Sequence, residues 1–350
     1  MFQRRERIGG RRAALVALVL LLAASDAAAV SQSTAIGLTF PVGSQYSATG
    51  EAGTAVNTDV TAQWWNLGGL AFAADDGRRN QAHAMYSKLV PDLADDVALY
   101  WIGGSTVLEG WGNVGAAITY LDQGEQVQTD EAGDIGETFN SSEWALQASY
   151  AFKFVDNVGV GIGLKYVRIS LAPEGVLQDR GASGEGSSWA VDAGVLWDVD
   201  DEFAGLGDVA QAITQPLSIG ATITNVGGDV TFVDEQQADP LPRNYRIGLA
   251  YDVFNTTTSR LTLIYDFMDM LVEGDETQVN GYGAEWTYAN LLSVRAGYKD
   301  DPEGDIQGTT WGFGFDLERA IGTPLSFDYA RVPQAEDLDE VDRFSLAIRF

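Results

Sequence analysis

A hydrophobic period of two, renewed segment after segment, constrains this chain more than any other feature of it. Such alternation puts one set of side chains on each face of a strand and leaves a helix with no coherent apolar stripe. From Trp144 onward, Trp144, Leu146, Ala148, Tyr150 and Phe152 interleave with Ala145, Gln147, Ser149, Ala151 and Lys153. Next, Val158, Val160, Ile162, Leu164 and Tyr166 alternate with Gly159, Gly161, Gly163, Lys165 and Val167. The pattern returns in Leu217, Ile219, Ala221 and Ile223, and again in Tyr245, Ile247, Leu249 and Tyr251. It closes the chain with Phe344, Leu346, Ile348 and Phe350. One face is greasy and the other is small or polar.

A soluble β-sandwich alternates too, so the surroundings of the strands decide between water and lipid. Candidate strands lie near 82–90, 97–107, 112–121, 142–154, 157–171, 187–198 and 216–226. The rest lie near 243–253, 259–267, 279–288, 291–300, 309–318, 323–332 and 342–350. This makes about fourteen, an even number, with lengths near the ~9–11 residues of a tilted membrane strand. Connections after the second, fourth, eighth, tenth and twelfth strands are short, whereas 122–141, 172–186, 227–242, 268–278, 301–308 and 333–341 are longer and acidic. Short turns at one end and long loops at the other mark an outer-membrane barrel. One connection departs from this rule: 199–215 is long where a short turn is expected, and Asp208–Ile213 could form a helical turn there. The expected fold is all-β, a single transmembrane antiparallel β-barrel of about 14 strands with an N-terminal plug or hatch segment.

The N-terminus points to export. Arg4, Arg5, Arg7, Arg11 and Arg12 precede an apolar run from Ala13 to Ala24, and Ala27-Ala28-Ala29 follows. The run is too short to span a bilayer, and small residues after it suit a signal peptidase. The organisation read from this is a signal peptide over 1–29, a plug or hatch over 30–80, and an outer-membrane barrel over 81–350. The chain has no cysteine and one histidine, His83, which excludes thiolate zinc sites and Cys nucleophiles. The net charge of −29 falls to about −32 without the leader, so nucleic acid is not an expected partner, since phosphate binding relies on Lys and Arg.

Charges on the small or polar face nearly cancel. Lys153, Lys165, Arg246, Arg295, Lys299 and Arg349 stand against Asp192, Asp252, Asp266, Glu285, Asp316 and Asp328. A lumen holding both signs is expected to be braced by ion pairs rather than to form a single-sign selectivity pore. Glu285 and Arg295, equidistant from a turn near Asn290, are expected to face each other as a lumen ion pair. Trp144, Trp189, Trp286 and Trp311 near strand ends fit an interfacial girdle.

The stretch Gly50-Glu51-Ala52-Gly53 through Asp59 to Trp65-Asn66-Leu67-Gly68-Gly69-Leu70 resembles the N-terminal signature of PorV/PorQ-type proteins, of the FadL-like barrel group. Asn225-Val226-Gly227-Gly228, Pro240-Leu241-Pro242-Arg243-Asn244, Arg295-Ala296-Gly297-Tyr298-Lys299 and the ending from Arg343 to Phe350 extend the resemblance over the mature chain. Leu67-Gly68 replaces the family's Pro-Ala, and Thr58-Asp59 replaces an acidic pair. The resemblance implies a type IX secretion component that accepts exported cargo from the translocon and hands it to surface-attachment machinery. It makes Gly50, Gly53, Asp59, Trp65, Asn66 and Gly69 a plug motif, and Pro240–Asn244 a partner-binding segment.

The competing reading is a FadL-like channel for hydrophobic solutes, which needs an apolar cavity and a lateral opening. An enzyme such as a lipid A deacylase is a third class, but His83 falls inside the first strand with no paired Ser and carboxylate evident, so no enzyme and no cofactor are expected. Acidic clusters at Asp92, Asp95 and Asp96 and at Asp300, Asp301, Glu303 and Asp305 lack EF-hand spacing and read as solvated loops. Phe344, Leu346, Ile348 and Phe350 resemble the C-terminal signal read by outer-membrane assembly machinery, which with outer-membrane lipid completes the expected partners.

Overall fold

The computed structural model describes residues 33–73, 77–129, 135–172, 184–199, 217–232, 238–335 and 338–350. The segments 1–29 and 208–213, read above as leader and helical turn, lie outside the described residues. Fourteen strands form one closed antiparallel barrel. They are β1 (Asn80–Lys88), β2 (Val97–Leu108), β3 (Gly112–Thr129), β4 (Ile135–Val155), β5 (Val158–Ser170), β6 (Glu185–Asp198) and β7 (Leu217–Gly227). Then come β8 (Asn244–Asn255), β9 (Ser259–Met270), β10 (Gln278–Tyr288), β11 (Leu292–Asp301), β12 (Ile306–Asp316), β13 (Leu325–Val332) and β14 (Val341–Arg349). Each strand pairs with its sequence neighbours, and β1 pairs with β14 from Gln81↔Arg349 to Ser87↔Arg343, which closes the wall.

The alternation explains which side meets lipid. Ile162 is 54% exposed, Leu346 50% and Trp189 58%, while the intervening Gly163, Ser345 and Ala190 are buried. In a sheet with water outside, those large apolar side chains would be the inner set; here they are the outer one. Trp286 and Trp311 also point outward, and Trp144 packs edge-on against Tyr166, which in turn meets Trp189. Among the described residues no helix is long and apolar enough to cross a membrane, so the crossing falls to strands whose backbone groups pair around a closed ring.

Two expected loops are shorter than the sequence suggests. β3 continues to Thr129 and β4 starts at Ile135, so most of 122–141 is ladder, and β11 and β12 likewise run to Asp301 and from Ile306. Above the rim both faces meet water, so the alternation that betrays a strand in lipid is no longer required while backbone pairing continues. At the other end, Asp316 ends β12 two residues early by accepting from the Glu318 amide and capping a helical turn, Leu317–Ile321. Gly322, at φ 70°, terminates that turn in the left-handed region. Asn80, Phe350 and the turns at 109–111, 156–157, 256–258 and 289–291 share one end of the barrel.

Residues 33–73 occupy the lumen, in short turns and helices: α1 (Ser44–Ser47), α2 (Ala62–Trp65) and 3-10 turns at Ile36–Leu38 and Gly69–Phe72. The core therefore sits between this segment and the wall. Val42, Val60, Trp64 and Trp65 pack against inward-facing Met85, Leu99, Trp101 and Leu121.

Candidate functional site

The plug is bonded to the wall along its whole path. It begins at the long-loop end, where the Thr34 amide donates to the Pro240 carbonyl (2.9 Å) and the Gly37 amide to Glu143 (2.9 Å). It crosses β14 and β12, where Ser44 meets Ser345 and the Thr310 hydroxyl donates to the Ala48 carbonyl while accepting from the Gly50 amide. At β9 the carboxylate of Asp266 accepts the consecutive amides of Gly53 and Thr54, both at 2.9 Å. It finishes at the short-turn end, where Gln81 donates to the Ala73 carbonyl. Every such bond satisfies a backbone group that has left water, which is the condition for irregular chain inside a barrel.

Glycines on the inner face of the wall make this path possible. A β-carbon at Gly161 would strike the Leu67 carbonyl, one at Gly194 the Asn66 amide oxygen, one at Gly220 the Thr54 carbonyl, and one at Gly283 the Thr49 carbonyl. The small residues that alternate with greasy ones along β5, β6, β7 and β10 are therefore a bed for plug backbone. This role was legible only as a recurrent run of Gly on the polar face.

The plug motif finds a physical account residue by residue. Gly50 has φ 73° and lies so close to Tyr282 and Tyr298 that no side chain fits. Gly53 lies against the rings of Trp65 and Tyr46, and Gly69 against the Asn57 carbonyl. The Asp59 carboxylate accepts from the Thr61 amide (2.7 Å) and hydroxyl (2.6 Å) at the entrance to α2. Trp65 is fully buried and donates from its indole to the Val42 carbonyl (2.7 Å). Asn66 donates to the carbonyls of Thr54 and Val195 and accepts from the Gly68 amide, clasping two plug turns to β6.

Between the motif glycines sits a residue that sequence reasoning passed over. Glu51 holds φ 59°, is 6% exposed, and lies 2.9 Å from both Lys299 on β11 and Arg343 on β14. Burial pushes its carboxyl up, but the two cations and their hydrogen bonds outweigh this and hold it at about 2. Arg343 also donates to the Ser47 hydroxyl (2.8 Å), so the same cation ties two plug turns to the wall.

Most of the expected lumen charges pair along the wall or turn to the plug. Glu285 faces Arg295 across the β10–β11 turn as expected, and Arg295 also bonds Asp328 (2.6 Å). Lys165 and Asp192 pair at 2.7 Å, and Asp252 pairs with Arg260. Four more turn to the plug: Arg246 lies over the rings of Trp64 and Trp65, Lys153 over Phe72, and Asp266 and Lys299 engage as described above, whereas Asp316 caps the Leu317–Ile321 turn.

A cavity of about 610 Å³ remains at the short-turn end. Its lining includes Gln45, Asp59, Arg260, Glu285, Arg295 and Asp328 beside Val56, Phe72, Ile264 and Phe315, so it is a vestibule with charges of both signs and an apolar portion. At the opposite end, Leu241, Pro242 and Asn244 are buried, with Leu241 packed against Ala35 and Leu38 of the plug. The Pro242 carbonyl accepts from Asn225 and Asn244 (3.0 Å each), leaving Pro240 and Arg243 half-buried. Phe344, Leu346, Ile348 and Phe350 all point outward, and Phe350 exchanges two backbone hydrogen bonds of 2.9 Å with Asn80. His83 is buried edge-on against Trp101. In the acidic loops, Asp95 pairs with Lys88, Asp96 accepts the Glu125 amide, and Asp301 accepts the Gly304 amide and lies 3.6 Å from Lys299.

A closed fourteen-stranded wall with an apolar exterior, filled by its own N-terminal segment, defines a plugged outer-membrane barrel. Residues 21–277 match the family described as type IX secretion system protein PorV, and the chain belongs to that family. The barrel is similar to the toluene transporter TbuX of Ralstonia pickettii, at 14% identity and a TM-score of 0.56 over 88% of this chain and 98% of that one. It is also similar to the toluene transporter TodX of Pseudomonas putida, at 13% identity and a TM-score of 0.54 over 87% and 96%. At those identities the likeness is one of fold. No curated protein matches the sequence.

Proposed function

We propose that this barrel serves a type IX protein secretion pathway, binding exported cargo and handing it from the translocon to surface-attachment machinery. Membership of the PorV family supports the pathway. The single observation that carries the working mode is the lumen: plug backbone is bonded to the wall from β3 round to β14, and the vestibule at the short-turn end, though Val56, Phe72, Ile264 and Phe315 line part of it, carries Asp59, Glu285, Arg295 and Asp328. Such a lining disfavours a hydrocarbon, because an apolar solute would have to strip water from charged groups without replacing their hydrogen bonds. That leaves the rim loops and outer wall as the working surface, with no catalytic step required. On this reading 1–29 is a cleaved signal peptide, 30–80 the plug, and 81–350 the barrel, and the half-buried Pro240 and Arg243 are the parts of the Pro240–Asn244 segment offered to partners.

The test replaces Pro240 with glycine and Arg243 with glutamine in the native host, keeps the buried Leu241 and Pro242, and follows surface display of cargo beside barrel abundance. Display should fall while the folded barrel persists, and a translocon barrel should co-purify with wild type. Normal display in the variant would remove the segment from the partner surface. Saturable uptake of toluene by liposomes carrying the purified barrel would favour solute transport instead.

A further inference from the structure

β3 and β4 rise above the rest of the barrel as a two-stranded ribbon. The last β3 residue paired with β2 is Gln123, opposite Val97, and the first β4 residue paired with β5 is Ser142, opposite Ser170. Beyond these points the two strands pair only with each other, from Glu125↔Asn140 to Thr129↔Ile135. The edge of β3 is partly covered, because the Glu125 amide donates to Asp96. On the far edge of β4, Ile135–Asn140 has no backbone partner among the described residues, and Ile135 is 79% exposed. Six residues of open strand present about 20 Å of alternating donors and acceptors.

Open edges are hazards that proteins blunt, often with lysine or proline. This ribbon carries neither. Among the described residues from Asp122 to Glu137 it holds Asp122, Glu125 and Glu137, and the sequence has no Lys or Arg anywhere between Lys88 and Lys153. Like charges facing each other across a strand pair are unfavourable, so the acids exclude a second copy of this ribbon while leaving the edge open to a strand of opposite charge.

We propose that the outer edge of β4, Ile135–Asn140, docks an extended basic polypeptide segment as an added strand. Backbone hydrogen bonds supply the attachment, and the acids of the ribbon select the partner. The proposal does not depend on the secretion reading, since it uses only the ribbon.

The test uses the full barrel in nanodiscs of zwitterionic lipid and a fluorescent decapeptide of alternating Lys and Val. Comparison peptides are the same sequence N-methylated at every second residue, which removes one edge of donors, and a decapeptide of alternating Glu and Val. Two barrel variants accompany them: Glu125→Lys with Glu137→Lys, and a shortened ribbon in which an Asn-Gly turn replaces 124–140, folding being checked by heat-modifiable mobility. The Lys-Val peptide should bind saturably and slow amide exchange over Ile135–Asn140. N-methylation, charge reversal and shortening should each weaken it about tenfold or more, and the Glu-Val peptide should not bind. Equal affinity of the N-methylated peptide would show attraction without strand pairing and overturn the proposal. So would binding that survives both barrel variants, or no binding of the Lys-Val peptide at all. If the shortened barrel fails to fold, the full-length charge reversal decides.

Discussion

Replacing Glu51 with glutamine should loosen the plug without opening the barrel wall. The substitution keeps the shape of the side chain and its backbone conformation, but leaves Lys299 and Arg343 without the carboxylate that lies 2.9 Å from each. The lowering of the Glu51 carboxyl from 4.5 to about 2 by its two cations shows that the folded state favours its charge. At roughly 1.4 kcal/mol per pKa unit this is about 3 kcal/mol, the lower end of the ~3–5 kcal/mol typical of breaking a buried ion pair on one side. The chain has no cysteine, so Ala62→Cys, buried in the plug and away from Glu51, supplies a single reporter thiol. If labelling follows the fraction of molecules with the plug open, Glu51→Gln should accelerate it by about a hundredfold at neutral pH. A depressed carboxyl contributes its stability above its unfolded value and loses it as pH falls through the folded value. Labelling of the single-Cys parent by dithiodipyridine, which reacts with thiols in acid, should therefore rise as pH drops from 4.5 toward about 2, and the Gln variant should lack that rise. Equal labelling of the two proteins at neutral pH, with no acid rise in the parent, would refute the latch.

Ile162→Arg, in the middle of β5 and facing lipid, should destabilise the folded barrel by about 2–4 kcal/mol in detergent or lipid unfolding. Gly161→Ala, one residue away on the inner face, should leave the wall intact and raise labelling of the plug thiol, because the added carbon collides with Leu67. Gly163→Ser should be milder than Ile162→Arg and also act through the plug, since its β-carbon meets Leu67 and Gln147. Deleting Phe350 removes the two backbone bonds that join the end of β14 to Asn80, and should reduce heat-modifiable barrel while precursor accumulates in the periplasm. Normal outer-membrane levels with lost activity would reassign Phe350 to a functional role.

The strand count and the outward face of the strands with unbroken alternation were readable from the residues, because a two-residue period is a local property that each segment reports alone. Glu285 facing Arg295 was equally local, since both are counted from one turn. The reach of β3 and β4 beyond the rim was not, because paired strands in water on both faces need no alternation to betray them. Nor was the purpose of Gly161, Gly194 and Gly220, whose missing side chains matter only where a distant stretch of backbone lies against them. Glu51 shows the same limit most sharply. Its partners are 248 and 292 residues away in sequence, on two strands that become neighbours of the plug only when the wall closes. Sequence therefore determined a lipid-facing barrel with a polar interior; closure of that barrel decided which polar groups meet across it, because burial inside the ring forces each charge and each backbone amide to find its partner there.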